Sequence, residues 1–383
     1  MAIALDLFQP FEWHHKVYAG TQRYAREVGT WQCAIDEFPE VSLPGRRTRK
    51  MACDGIIARA TKATAEAAQR LGIPLVNTWF NSPVPGLRGV YVDFDAAGRL
   101  CAEHLLGRGF RRFGYLIRRR DRSEPIKYRA FAGRLAEEGY SCQRATYPVA
   151  STGEAAKWAA MQKAVRAWLG ALTPPVGVCL REPHAARQIE QMCRNRSWRV
   201  PQDVAILCGH NEDTICEHTD PGLSSVDYNW ERIGYEAAAM LDRLMDGEPP
   251  QPEPLLLPPT GILQRASTDF FAVEDELVSE ALRYIAANLH KSINVSDVVE
   301  AIEMSRSTLE RKFRDHLGLP IAKEIARLRL ERVKRHLTES GMHIKRIAYE
   351  TGFVDATTLC RVFRRELGTT PGQYRKQVLG SKR

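Results

Sequence analysis

The sequence predicts two fold classes in one chain. Residues 1–268 read as an α/β part built on parallel sheets, and residues 277–383 as an all-α part holding two helix-turn-helix units, with residues 269–276 as the joint. Three observations carry this. Short apolar runs alternate with longer helix-period segments through the first two thirds. A fourteen-residue amphipathic phrase then occurs twice, at 305–318 and 355–368, with seven identical positions. The charge is also lopsided: residues 305–383 hold 19 Lys+Arg against 8 Asp+Glu, and the remaining 304 residues hold 36 against 38.

Taken in order, the apolar runs are Ile3–Leu5, Gly55–Ala58, Pro74–Val76, Phe113–Ile117, Val176–Leu180 and Val204–Leu207. Runs this short and unbroken suit strands covered on both faces. The intervening segments include "HKVYAGTQRYAREVG" (15–29), "AAGRLCAEHLLGRGF" (96–110), "AARQIEQMCRNR" (185–196) and "WERIGYEAAAMLDRLM" (230–245), all of helical length. Such alternation means parallel sheets with helices on both faces, which bind ligands at the carboxyl ends of their strands. The stretch is long enough for two lobes with a cleft between them.

Composition narrows the function. At 383 residues the chain suits two or three domains, and its 44% hydrophobic and 26% charged content are those of a globular protein. It has no apolar run of about eighteen residues, so no membrane partner is expected. The start "MAIALDLFQPFEW" lacks a basic segment and carries Asp6, which argues against a secretory signal and for the cytoplasm. Nine scattered cysteines agree with a reducing compartment. Cys208, His210, Cys216 and His218 in "CGHNEDTICEH" lack the two short ligand pairs and long spacer of a zinc site, and Cys208 closes an apolar run, so no metal is expected. No Gly-rich turn follows Ile3–Leu5, and neither a Gly-Lys-Ser/Thr loop, a Gly-x-Ser-x-Gly elbow nor a His-Glu-x-x-His helix occurs. The expectation is no cofactor, no catalytic residue and no enzyme.

The repeated phrase builds the second part. In the first copy Ser305 is an N-cap, Leu309, Phe313 and Leu317 form one stripe, and Gly318 stops the helix. In the second, Asp355 caps, Leu359, Phe363 and Leu367 form the stripe, and Gly368 stops it. Each copy follows a short amphipathic segment and a turn: "VSDVVEAIEM" (295–304) and "IKRIAYETGF" (344–353). Between them "PIAKEIARLRLERVKRHL" (320–337) reads as a connecting helix with Ile321, Ile325, Leu328 and Val333 near one face. Two such units can read successive DNA major grooves about 34 Å apart. A Leu/Phe stripe alone equally suits a helical protein-interaction domain. The opposite faces decide between them: Arg306, Ser307, Glu310, Arg311 and Arg314 on the first unit, and Ala356, Thr357, Cys360, Arg361 and Arg364 on the second. Arginine bonds guanine bidentately, Ala and the Thr methyl meet a thymine methyl, and basic neighbours hold phosphates. Double-stranded DNA is the expected partner.

The words themselves carry a resemblance. "STLERKF" (307–313), Arg329-Leu330, "IKRIAYETGF" (344–353), "LCRVFRRELG" (359–368) and "TPGQYR" (370–375) resemble the AraC/XylS-type DNA-binding domain over roughly 274–378. One departure is Leu319-Pro320-Ile321, where the proline is shifted by one from the family pattern.

The front part resembles the sugar-sensing domain of LacI/GalR-type repressors, a two-lobed periplasmic-binding-protein fold. The matching stretches are "VDFDAAGRLCAEHLLGRGFRRFGYL" (92–116), "VPQDVAILCGHNED" (200–213), "PGLSSVDYNWERIGYEAAAMLDRLMDG" (221–247) and "PPTGILQRAST" (258–268). A sensor of this kind ahead of an AraC-type reader is the arrangement of the xylose-operon activators, to which "YAGTQRYAREVGTWQ" (18–32) is also similar. The resemblance implies a cytoplasmic transcription activator, a homodimer that engages RNA polymerase and answers to a small sugar, a pentose first in line. Sugar sites use planar hydrogen-bonding groups and an aromatic face. The ligand candidates it implies are Trp79, Asn81, Arg119, Lys127, Glu182, Asn211 and Tyr228. Where the family has Asn-Asp this chain has Glu182-Pro183, and Lys127 stands where the family has an arginine, unless Arg129 two residues on takes that role. Two readings therefore stay open: a pocket for a pentose or an acidic or amino-bearing sugar, and a degenerate pocket with control by a protein partner or a non-sugar ligand. His14 and His15, at the start of the first helix, read as structural.

Overall fold

The computed structural model describes residues 2–6, 12–36, 38–42, 53–148, 155–249, 253–273, 275–339 and 342–379; Met1, Glu274 within the joint and residues 380–383 lie outside them. The front part starts with β1 (Ala2–Asp6), α1 (Glu12–Val28), β2 (Gln32–Ile35), α2 (Pro39–Ser42), β3 (Gly55–Ala58), α3 (Lys62–Leu71), β4 (Leu75–Asn77), β5 (Val90–Val92) and α4 (Phe94–Gly107). It continues with β6 (Phe113–Arg118), α5 (Glu124–Glu137), β7 (Cys142–Tyr147), α6 (Ala155–Ala171), β8 (Val176–Leu180), α7 (Pro183–Arg194) and β9 (Val204–Cys208). Then come α8 (Asp213–His218), β10 (Ser224–Asp227), α9 (Trp230–Met245), β11 (Leu255–Leu257) and β12 (Gly261–Leu263). The chain forms two compact units, one of Met1–Ala97, Arg120–Lys127 and Tyr228–Pro259, the other of Gly98–Arg119, Tyr128–Asp227 and Thr260–Arg383.

In the first unit β2, β1, β3 and β4 form a parallel sheet in that order, and β5 pairs in parallel with β11. Against it lie α1 and α9, side by side and running the same way. Their contact is made by two glycines: a Cβ on Gly234 would fall 1.8 Å from the carbonyl oxygen of Val17, and one on Gly20 1.7 Å from that of Glu231. Thr21 Oγ1 completes the seam by donating to the Gly234 carbonyl at 3.2 Å.

The second unit holds a six-stranded sheet in the order β12-β10-β9-β8-β6-β7, parallel except that β12 runs against β10. Every residue of β8 (VGVCL) and β9 (VAILC) is buried, as central strands covered by helices on both faces should be. By contrast β10 begins with Ser224 and Ser225, both fully buried and both hydrogen-bonded, Ser224 to Ser267 and the Arg265 carbonyl, Ser225 to Asn211.

The same unit carries the helical part: α10 (Glu276–Asn288), α11 (Val295–Ala301), α12 (Arg306–Leu317), α13 (Ile321–Glu339), α14 (Ile344–Glu350), α15 (Ala356–Leu367) and α16 (Pro371–Leu379). It has two cores. One joins Phe271 and Val278 to Leu309, Phe313, Ile321 and Ile325; the other joins Leu330, Val333 and Leu337 to Ile347, Leu359 and Phe363. The connecting helix α13 supplies side chains to both, its first half to one and its second half to the other. Gly352, with φ +70°, fits where a Cβ would meet the Lys291 carbonyl at 2.2 Å, so the turn of the second helix pair rests on the loop of the first.

Candidate functional site

Both recognition helices are framed as their caps dictate. Ser305 Oγ accepts from the Thr308 amide at 3.3 Å and Asp355 Oδ1 from that of Thr358 at 2.6 Å, while Gly318 (φ +72°) and Gly368 (φ +70°) close the other ends. The bond from Thr358 holds the Asp355 carboxyl below its ordinary range. Leu309, Phe313, Leu359 and Phe363 are fully buried, which turns the opposite faces outward. Arg306, Ser307, Arg311, Arg314, Thr357, Arg361 and Arg364 are exposed, with Ala356 and Cys360 partly so. Glu310 differs: its side chain is only 16% exposed and faces Arg314 Nη2 at 3.9 Å, so it tempers that arginine instead of standing free. Val354, in the turn ahead of α15, is 82% exposed and was not among the sequence candidates.

Other motif arginines are structural. Arg329 donates to the carbonyls of Lys291 and Ile293 at 2.9 and 2.8 Å and lies over the Phe353 ring. Arg375, which closes "TPGQYR", donates to the carbonyls of Leu337 and Met342. Arg329 thereby satisfies two carbonyls of the loop between α10 and α11, and Arg375 one in the last turn of α13 and one in the loop before α14.

The ligand candidates fall in different units: Trp79, Asn81, Lys127 and Tyr228 in the first, Arg119, Glu182 and Asn211 in the second. In the first unit the carboxyl ends of β3 and β4 and the first turns of α1 and α9 gather an aromatic and cationic face. The rings of Trp13 and Trp230 are 4.8 Å apart and tilted by 32°, and the Arg59 guanidinium sits over Trp79 at 4.5 Å and Trp13 at 5.8 Å. Tyr228 packs edge-on to Trp230, and its hydroxyl accepts from Lys127 Nζ at 3.0 Å. Lys127 is 1% exposed, so the tyrosine is part of what compensates a buried ammonium. Asn81 donates to Asp121 at 3.1 Å and accepts from the Arg122 amide at 2.7 Å. His14 is buried beneath Trp13; burial, then Arg59 and His15, push its pKa down to about 3. Trp13, Arg59 and Trp230 escaped the sequence reading because only the sheet brings them together.

In the second unit the candidates are engaged by their neighbours. Glu182 Oε1 pairs with Arg118 Nη1 at 2.6 Å. Asn211 Oδ1 accepts from Ser225 Oγ at 2.7 Å and Arg265 Nη1 at 3.1 Å. Arg119 Nε donates to Thr146 Oγ1 at 3.3 Å. His210 Nε2 and Glu212 Oε1 are 3.1 Å apart, and Cys208 and Cys216 are fully buried; among the described residues no group of three or more His, Cys, Asp and Glu is placed to hold a metal ion. Nor is any described helix long and apolar enough to cross a membrane.

Residues 102–268 match the model of a periplasmic binding protein-like domain and residues 298–377 that of a helix-turn-helix domain. The chain is similar to the xylose operon regulatory protein of Escherichia coli K12, 31% identical over 246 residues, which is 64% of this chain and 62% of that protein. The matched region thus spans less than two thirds of that relative's length. Among solved structures, one described as the xylose-binding transcription activator xylR has 26% identity and a TM-score of 0.61, with 98% of each chain covered. A cellobiose complex of the regulator CelR, at 18% identity and TM-score 0.54, covers 70% of this chain and 84% of its own and shares the fold of the front part.

Proposed function

From a chain that joins a periplasmic binding protein-like domain to an AraC-type helix-turn-helix domain, we propose a cytoplasmic transcription regulator that binds specific double-stranded DNA under the control of a small sugar. The observation that carries the reading is the pair of recognition helices capped in the same geometry and mounted on one connecting helix, each with a basic outer face. Arg306, Arg311 and Arg314 of the first and Arg361 and Arg364 of the second contact base edges or phosphates, and Ser307, Ala356, Thr357 and Cys360 line the same surface. The regulator acts as a homodimer and an activator, recruiting RNA polymerase to genes of sugar catabolism. D-xylose or a related pentose stacks on the aromatic face of the first unit, with Trp79, Asn81, Lys127 and Tyr228 supplying contacts on that side. Control requires that the sugar bind one conformation of the front domain better than another.

A second reading is favoured by the second unit, where Glu182 is tied to Arg118 and Asn211 to Arg265 and Ser225. A sugar hydroxyl must displace those partners to reach either side chain. In that reading the pocket is closed and control comes from a protein partner or another ligand class. The test is selection of bound DNA from a random pool by the full chain, followed by titration of the winning sequence with and without D-xylose at fixed salt. No enriched sequence would remove the DNA-reading proposal. An enriched sequence whose affinity ignores pentoses, sugar acids and amino sugars would leave the second reading.

A further inference from the structure

The place where the helical part meets the α/β part of the second unit is built around one arginine. Helix α4 begins in the first unit at Phe94 and ends in the second at Gly107, whose carbonyl is one of those a helix end leaves without a partner. Arg327, in the first half of the connecting helix α13, donates from Nη2 to that carbonyl at 3.0 Å. Its own helix fixes the guanidinium: Nε donates to Glu324 Oε2 at 2.8 Å, Nη2 to Glu324 Oε1 at 2.6 Å, and Nη1 to Glu331 Oε1 at 2.8 Å. Burial opposes the charge on Arg327, but the two carboxylates prevail and raise its pKa above the ordinary arginine value. The Glu324 side chain is 3% exposed, so this is a covered ion pair and not a solvated helix-surface pair.

The surroundings extend the contact. Arg108, with its side chain 8% exposed, pairs with Asp269 at 3.4 Å and lies over the Phe271 ring at 5.0 Å, and its carbonyl accepts from the Ala272 amide at 2.8 Å. Phe271 in turn sits in the first helical core. His104 and Thr268 share a hydrogen bond of 2.9 Å one turn earlier on α4. An ion pair within one helix gains little from burial, and apolar residues of the same size would hold two surfaces together as well. What the arrangement adds is a directional attachment from α13 to one carbonyl of α4.

We infer that Arg327 is a positioning residue: through the Gly107 carbonyl it sets the connecting helix, and with it both recognition helices, on the end of α4, so that an effector acting along α4 changes DNA affinity through this bond. The inference rests on the effector-controlled DNA binding proposed above. Two variants of the full chain approach the bond from opposite sides. Arg327→Ala removes the donor. Gly107→Ala places a methyl 2.8 Å from Arg327 Nη1, which swings the guanidinium off the carbonyl and leaves the DNA-reading surface alone. D-xylose is the probe. In the wild type its effect on DNA affinity should lie in the usual range of about 5–150-fold, and in both variants it should shrink to under about twofold while D-xylose binding by calorimetry stays within about twofold. A full response in both variants overturns the inference. If D-xylose leaves wild-type DNA affinity unchanged, the effector reading has failed, and hydrogen exchange then decides this one. Amides in 104–112 and 321–331 should exchange at least about tenfold faster in Arg327→Ala, and unchanged protection overturns it.

Discussion

Gly234→Ala should loosen the first unit and disturb its aromatic face together. The new Cβ would lie 1.8 Å from the Val17 carbonyl oxygen, against a limit near 3.0 Å, so α1 and α9 must part by at least about 1.2 Å. The obstacle is backbone and cannot rotate away. Overpacking of this kind costs about 1–3 kcal/mol, and parting the helices also strains the Thr21 bond to the Gly234 carbonyl, so the upper half of that range applies. Against it stands the gain of about 0.5–1 kcal/mol that alanine brings to a helix interior. The net is a loss of about 1–2.5 kcal/mol, a fall of roughly 2–10 °C in the melt of a unit this size. Because Trp13 and Trp230 stand on the first turns of these two helices, the same shift separates their rings, and tryptophan emission of the folded protein should change before unfolding begins. Gly133→Ala in α5 is the control: its Cβ meets nothing within 4 Å, and it should raise stability by about 0.5–1 kcal/mol. A Gly234→Ala protein that melts with the wild type and keeps its emission spectrum would refute the packing argument.

Three further outcomes are expected. Arg361→Ala should cost about 1–3 kcal/mol at the selected DNA sequence and flatten preference at one or two base pairs; equal loss on every sequence would make Arg361 a phosphate contact. Arg329→Ala removes the donor to the Lys291 and Ile293 carbonyls and should weaken binding to a two-half-site duplex far more than to a single half-site, read by anisotropy; equal weakening would deny it a role between the helix pairs. His14, held near pKa 3 in the folded chain, takes up a proton on unfolding at any pH between that value and the ordinary 6.5, so stability is lost as pH falls through this window, by up to about 1.4 kcal/mol per pH unit. His104, also depressed by burial, adds with the same sign, and His14→Gln should flatten the acid limb of a denaturation series between about pH 6 and 4.5.

The sequence was legible where local chemistry decides the structure. The caps at Ser305, Asp355, Gly318 and Gly368 bound α12 and α15 at the expected residues, and the runs 55–58 and 176–180 are strands end to end. The rest was hidden for identifiable reasons. β7 reads CQRATY because it is a sheet edge, and β10 opens with two serines whose burial depends on partners forty residues away. Gly20 and Gly234 look like weak points in two helices until the helices are seen to touch there. Of the aromatic and cationic face in the first unit, Trp79, Lys127 and Tyr228 were named from neighbouring words, whereas Trp13, Arg59 and Trp230 join it only through the order of the strands.

The sharing of α13 between two cores, with Gly352 seated on the loop of the first helix pair, has a consequence for the DNA. Nineteen residues of helix span about 28 Å, shorter than one turn of the duplex. A protein gauge of fixed length passes any mismatch to the softer body, which here is the double helix. One base pair added between the half-sites turns the second by about 35° and asks the duplex to untwist or bend. On the proposed DNA-reading function, the bases of that spacer would carry information of their own without any direct contact: flexible steps relieve the mismatch and stiff tracts oppose it.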